Sequence, residues 1–367
     1  MAVNEARPMS RWLAIVLVIA YVVTGVFQPI ILDAISLFGG ASKEAFLFPI
    51  PNSLGMALLL PLPAKDAFHS RTDSLWLFPR DIFVMTLIDV FATTLTLFGQ
   101  LMIGSGLYII IYSSLTIWSA IGSRILLKRK MSVWMWLSIG VVTVGLMVSG
   151  VGALTSFGAD KLVGMLITLV GTILHSCVYW VSEYFCLATE RPIHSRHLAG
   201  FMGIFGVSIF LSYTLAETVP RWEALFVEPV HDKQGNYLYI FLLYLLLILF
   251  DWVHLYAQFT AVVSVGAVMV GVNKAISSVG VFVISHFTFC KVESANCIDV
   301  YKICSLVLVV SGVVCYTLAS NRYKKRLEKQ AQAQQPQEET EHSLQPVTSS
   351  TSLASVESTE HLSIDLR

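Results

Sequence analysis

The stretch SVGAVMVGVNKAISSVGVFVISHFTF, residues 264–289, is apolar or small almost throughout, yet it carries a lysine, Lys274, well inside its length. About 20 apolar residues suffice to cross a bilayer core as a helix. An ionised side chain at that depth costs several kcal/mol unless it faces a cavity or a partner. The stretch therefore reads as a membrane-crossing helix with a polar interior behind it.

Working outward, the same kind of run recurs along the chain. Hydrophobic residues make up 55% and charged residues only 13%, and the mean hydropathy is +0.71. A soluble domain normally carries roughly twice that charged fraction. The fold class expected is all-α integral membrane. The runs are Trp12–Leu32, Phe46–Leu62, Ile82–Met102, Ser105–Leu127, Val133–Ala153, Leu162–Leu187, His197–Leu215, Tyr237–Val262, Ser264–Phe289 and Val300–Ser320. The first is too long and continuous for the apolar region of a signal peptide and reads as a retained helix. Ten crossings with a cytosolic N-terminus put Arg7, Arg11, Lys65, Arg71, Arg80, Lys128, Arg129, Lys130, Arg191, Arg196, Arg322, Lys324, Lys325 and Arg326 on the cytosolic side. The opposite side receives Lys43, Lys161, Arg221, Lys233 and Lys291. That asymmetry follows the positive-inside rule and places both termini in the cytosol.

Residues 1–11 are then a cytosolic N-terminus, 12–153 and 162–320 the two helical halves, and 321–367 a tail rich in Gln, Glu, Ser and Thr. Such a composition buries too little apolar area to offset its ordering entropy, so the tail is expected to be disordered. Net charge is zero, which removes any global field that would attract nucleic acid. Cys290 and Cys297 flank a short loop and would bridge if that loop faces an oxidising lumen.

Sliding the chain on itself aligns Leu87-Ile88-Asp89 with Leu249-Phe250-Asp251, Gly104 with Gly266, Tyr112 with Lys274, and Arg124 with His286. Each copy pairs an Asp-bearing helix with a Gly-rich helix ending in a basic stretch. Five helices per copy is an odd number, so the second copy would run inverted: ten transmembrane helices as two inverted five-helix repeats.

Gly104-Ser105-Gly106-Leu107, Tyr112-Ser113-Ser114-Leu115 and Arg124–Lys130 resemble the fourth helix of the drug/metabolite transporter superfamily. Trp136-Leu137-Ser138-Ile139-Gly140 and Val144-Gly145-Leu146 resemble its fifth. Gly271-Val272-Asn273-Lys274 is similar, one residue shorter in spacing, to the Gly-x-x-Asn-Lys type motif of nucleotide-sugar transporters. Where that group has a nucleotide-binding motif in the seventh helix, this chain has Met202-Gly203-Ile204-Phe205. Tyr179–Gly206, with Glu183 and the turn Arg191–His197, looks more like the chloroquine-resistance-transporter-like branch. The resemblance implies ten helices, inverted repeats and alternating access around a central cavity.

Several polar residues are candidates for that cavity. Lys274, Asn273, Ser277 and Ser278 are expected to bind a phosphate or carboxylate, against a bland reading in which Lys274 only pairs with Asp251 or Asp89. Tyr108 and Tyr112, spaced i, i+4, form a stacking wall for a ring-bearing solute. Asp89, Asp251 and His175 are coupling or ion-pair candidates, with a helix-packing role favoured for each taken singly. Glu183 follows His175 and Tyr179 on one stripe, near the helix end, where a snorkelling role is expected. Gly99, Gly104, Gly106, Gly140, Gly145 and Gly150 read as close-packing positions.

No cluster of nucleophile, base or metal ligands suggests an enzyme, and no cofactor is expected. The expected activity is transport of a small polar, anionic, nucleotide-sugar-like solute across an endomembrane (Golgi, endoplasmic reticulum, or vacuole/lysosome). A vacuolar or lysosomal exporter of amino-acid-like or cationic solutes is the alternative, and a non-transporting receptor or scaffold a further one. Expected partners are the solute and membrane lipid, with a homodimer left open.

Overall fold

Lipid offers no hydrogen bonds, so a chain this apolar must satisfy its backbone internally, and helices do so within one segment. A computed structural model describes residues 11–62, 79–126, 128, 131–157, 159–187, 189, 193–292 and 297–342. Among them there is no strand. The helices are α1 (Arg11–Leu37), α2 (Ile50–Ala57), α3 (Pro79–Tyr112), α4 (Leu115–Leu126), α5 (Val133–Phe157), α6 (Ala159–Leu187), α7 (Ser195–Tyr213), α8 (Glu228–Asp232), α9 (Tyr237–Val265), α10 (Ala267–Phe289) and α11 (Val300–His342). The basic positions Arg7, Lys65, Arg71, Arg129, Lys130 and Arg191, and residues 343–367 of the tail, lie outside the described residues.

Among the described residues, six helices are long and apolar enough to cross a membrane: Ile15–Leu37, Arg80–Tyr112, Lys161–Leu187, Ser195–Thr218, Tyr237–Ser264 and Val300–Tyr323. Leu115–Leu126, Val133–Gly145 and Ile276–Phe289 are shorter apolar helices. Large apolar side chains such as Trp12, Phe91, Met147, Leu238 and Phe287 point outward. A water-soluble surface rarely carries so much exposed apolar area, whereas lipid favours it.

Gly104 interrupts α3 with φ 78° and ψ 163°. A straight helix from Asp89 to Tyr112 would hold them roughly 34 Å apart. Both nevertheless reach the same imidazole, that of His175. The chain therefore folds back at Gly104, and α3 is two arms. Gly266, with φ 93° and ψ 156°, divides α9 from α10 in the same way. That moves the expected eighth–ninth boundary from Val263 to Gly266. The reason is local: Ser264 keeps its hydroxyl on the Thr260 carbonyl inside the helix, while Gly266 adopts a left-handed φ that other residues resist.

Other expectations need correcting. The second run, Phe46–Leu62, is helical only over Ile50–Ala57. Pro49 and Pro51 sit at its N-terminus and lack the donors to extend it backward; eight residues rise only ~12 Å. Beyond α7 the chain continues through π-helical turns at Thr214–Thr218 and Glu223–Val227. These turns and α8 fold onto the α1–α2 connection, with Thr218 Oγ1 donating to the Ala45 carbonyl at 2.8 Å and Lys233 Nζ to that of Ser36 at 2.6 Å. In the tail, α11 runs on to His342 where disorder is expected from Asn321. Lys, Arg, Leu, Glu, Gln and Ala there are strong helix formers, and elongating an existing helix needs no new nucleus. Cys290 and Cys297 form a disulfide, with Cα atoms 4.4 Å apart.

The helices pair in a balanced pattern. α3 packs on α6 as α1 does on α9; α4 packs on α6 as α1 does on α10; α5 lies along α11 and α2 along α7. Small residues permit these approaches: Gly99 faces Thr168 and Gly164, and Gly145 faces Leu308 and Val309. Gly140 faces open space, so its expected packing role does not hold.

Replacing Gly104 or Gly266 by Ala is expected to cost ~1–3 kcal/mol each through the positive φ. Gly140→Ala is expected to be neutral or slightly stabilising, because helix interiors favour Ala. Thermal unfolding of purified variants in detergent checks this, and equal melting temperatures for all three would refute it.

Candidate functional site

Each break leaves the first N–H groups of the next helical arm without intrahelical acceptors. A carboxylate from another helix meets each one, Asp33 half-buried and Glu183 fully buried. Asp33 of α1 accepts from the Ser105 backbone N–H at 3.0 Å, next to Gly104, and from Gln100 Nε2 at 3.0 Å. Glu183 of α6 accepts from the Ala267 N–H at 3.0 Å, next to Gly266. An acidic group at a helix N-terminus is also favoured by the helix dipole. Glu183 is 1% exposed, so the snorkelling role expected for it is wrong: the open N-terminus of α10 draws it inward.

Between the two breaks lies a central cavity of about 90 Å³, several times the ~10–15 Å³ that one water needs. Its walls come from α1, α2, α3, α6, α9 and α10, and they bring together Asp89, Tyr108, Tyr112, His175, Asp251 and Lys274. Tyr108 and Tyr112 stack on each other with ring centroids 5.3 Å apart. The Lys274 amine lies 5.2 Å above the Tyr112 ring, a cation–π arrangement. Lys274 is 5% exposed. Among the described residues, no carboxylate oxygen lies within the 4.0 Å that defines an ion pair with it. Lys274 and Asp251 act on each other electrostatically across the cavity without direct contact, so the bland reading stands as a longer-range pairing.

The two aspartates have other partners. Asp251 Oδ1 accepts from Gln28 Nε2 at 2.5 Å. Asp89 Oδ1 lies 3.4 Å from His175 Nε2. Thr93 Oγ1 is 3.4 Å from the same nitrogen, and the Tyr112 hydroxyl is 3.1 Å from Nδ1. Asp89, His175 and Tyr112 thus form a chain that ends beneath Lys274.

Asn273, Ser277 and Ser278 are buried but do not line the cavity. The Ser277 hydroxyl is 3.2 Å from the Val22 carbonyl of α1 and 3.3 Å from that of Asn273. Helical spacing puts Ser277 and Ser278 beside Lys274, but the close contact of α10 with α1 takes that stripe, leaving Lys274 alone to reach the cavity.

Sequence reasoning passed over several members. Gln28 and Asn52 line the cavity. His254 also lines it; its ring stacks on Tyr21 at 4.3 Å, and its Nδ1 lies 2.9 Å from Thr24 Oγ1. Asp33 sat at the polar end of the first apolar run, where a carboxylate looks like an interfacial anchor. The repeat does not reveal it, because the register that aligns Gly104 with Gly266 puts Asp33 over Ser195 and Glu183 over Tyr21; the correspondence is in the structure, where each acid caps the residue after a break.

A second cavity of about 400 Å³ is lined by Asp33, Ser36, Gly104, Lys233 and Phe289 among others, and shares Gln100 with the central one. It lies beside the disulfide-bearing end of α10. Below Glu183 the opposite end is filled by Arg196, whose guanidinium stacks 5.0 Å above the Tyr256 ring and donates to the Tyr256 hydroxyl at 3.1 Å.

Comparison with known proteins adds little beyond the fold. No family model matches the chain. An uncharacterized protein of Schizosaccharomyces pombe is 26% identical over 126 residues, or 34% of this chain and 38% of that protein. The match thus spans well under half of that relative's length. A solved crystal structure, described only as that of a protein, is similar over 86% of this chain and 99% of its own, with TM-score 0.50 and 13% identity. At that identity the likeness concerns the fold alone.

Glu183→Ala and Asp33→Ala remove caps from buried helix starts and are each expected to cost about 1–2 kcal/mol. Glu183→Gln, which keeps an acceptor oxygen, is expected to retain most of the lost stability. Denaturation midpoints decide: if Gln and Ala at 183 behave alike, the carboxyl is not acting as a cap.

Proposed function

We propose that the chain is a secondary or exchange transporter moving a small polar, anionic organic solute across an endomembrane by alternating access. The observation that carries this reading is Lys274, a buried amine facing a central cavity with no carboxylate in ion-pair reach among the described residues. A buried cation whose electrostatic partner, the Asp251 carboxylate, stands across the cavity and outside ion-pair distance is costly. It persists where an anion completes it. Tyr112 below it and the Tyr108 stack supply a flat wall of the kind that holds a ring.

The architecture proposed is ten transmembrane helices in two inverted five-helix repeats, with both termini cytosolic. Support comes from the matched breaks at Gly104 and Gly266, the matched caps from Asp33 and Glu183, and the matched helix pairings. The Cys290–Cys297 disulfide suits an oxidising lumen on that side. In this conformation the larger cavity on the disulfide side makes that the open face, and rocking the two halves would exchange it for the other.

A second reading is favoured by Asp89 and Asp251 in the same cavity: an exporter of amino-acid-like or cationic solutes of vacuolar or lysosomal type. A non-transporting receptor would bind without flux.

Purified protein should be stabilised against heat by nucleotide sugars, phosphorylated metabolites or organic anions, and Lys274→Ala should abolish that stabilisation. The unliganded Lys274→Ala protein should be as stable as the original or more so. Breaking a buried ion pair would instead cost ~3–5 kcal/mol, so a large loss in the unliganded variant would sink the binding role. Stabilisation by amines, unaffected in Lys274→Ala, would favour the exporter reading. Solute flux in proteoliposomes separates either transporter from a receptor.

A further inference from the structure

His175 is placed unlike the other histidines in the described residues. His254 stacks on Tyr21, with the Thr24 hydroxyl and Tyr21 carbonyl at its Nδ1, and has no carboxylate partner. His286 meets the backbone N–H of Ile298 at the end of α10. His175 alone stands on the wall of the central cavity with a carboxylate at one ring nitrogen and a hydroxyl at the other. A group held that way can carry a proton in either direction, because each nitrogen has a partner in both protonation states.

The groups around it are these. From α3 come Asp89 and Thr93 at Nε2, Tyr112 at Nδ1, and Tyr108 stacked on Tyr112. From α6 itself Tyr179 lies one turn on, with ring centroids 6.4 Å apart. From α10, Lys274 sits across the Tyr112 ring. From α9, Asp251 and His254 share the cavity. Asp89, Asp251 and Lys274 line the same space, so each proton taken up by the lining makes it more favourable to an anion.

We propose that His175 is a proton-binding site, set between Asp89 and Tyr112, and that the proton it takes up crosses in the same direction as the anionic solute. In the neutral ring, Nε2–H donates to Asp89 and Nδ1 accepts from the Tyr112 hydroxyl. A proton arriving from water in the disulfide-side cavity adds at Nδ1, which then donates to the Tyr112 oxygen. Tyr112 turns its own hydrogen toward Tyr179, whose phenol adjoins it. The Nδ1–H bond forms as an O–H bond of a hydronium ion breaks and leaves water, and the reverse steps release the proton. The charge added is felt at Lys274 through the ring they share, so solute and proton are held by one connected set of side chains.

The co-transport half of this inference rests on the transport reading above; the proton site does not. The test uses full-length protein in liposomes on a solid-supported membrane, with no solute present. A step from pH 7.5 to pH 5.5 should give a transient inward current. His175→Asn should abolish it, Asp89→Asn should reduce it at least threefold, and His286→Asn should leave it unchanged. No current in the original protein, or the same current in both His175→Asn and Asp89→Asn, overturns the proposal. Should His175→Asn fail to reconstitute, the Asp89→Asn current alone decides. Ring ¹⁵N signals of labelled histidines provide an independent readout: a cavity histidine must titrate across this range and lose its signal change in Asp89→Asn. If the current behaves as stated while no anion stabilises the protein, the proton site stands and the anion reading falls. If anions stabilise the protein but the current is absent, the reverse holds.

Discussion

The structure depends on how a helix can be broken inside lipid. An open helix N-terminus exposes N–H groups that hydrocarbon cannot satisfy. Here two breaks are tolerated because each is met by a carboxylate from another helix: Asp33 at Ser105 and Glu183 at Ala267. The glycine makes the turn sterically possible, and the acid makes it electrostatically tolerable. Each break folds an arm back so that Asp89 faces Tyr112 and Asp251 faces Lys274 across one cavity. Without those reversals the same residues would lie at opposite ends of long rods.

The cavity has a marked division of labour. Lys274 touches an aromatic face and meets Asp251 only across the cavity, whereas both aspartates have direct partners, Asp251 in Gln28 and Asp89 in His175. A purely structural polar core tends to satisfy its charges mutually, because a half-satisfied network is costlier than an apolar one. Charge is instead held apart around open space. That is the arrangement expected of a site completed by something from solution, and the tyrosines that separate the charged groups also connect them.

The repeat suspected from Asp89/Asp251 and Gly104/Gly266 had few identities to stand on, yet the aligned glycines both adopt positive φ. Their identity is demanded by backbone sterics, which makes glycine a more durable marker than the apolar positions around it. The partners of those breaks were not legible in the same way. Asp33 and Glu183 each sit near the end of a run, where a charge is ordinary, and only a helix coming from elsewhere makes either one a cap.

Composition and run length were enough to determine that the chain is helical, that it belongs in a membrane, and that Lys274 needs a reason to be where it is; transfer free energies act locally and can be read residue by residue. Helical spacing also paired Tyr108 with Tyr112 correctly. Which face of α10 reaches the cavity was decided by tertiary packing: α1 takes Ser277, and Lys274 is left to project inward. The gathering of Asp89, His175 and Tyr112 was decided the same way, since it needs a chain reversal at Gly104 and a third helix, α6. Helical periodicity constrains neighbours along one helix and says nothing about which distant helix a side chain will meet.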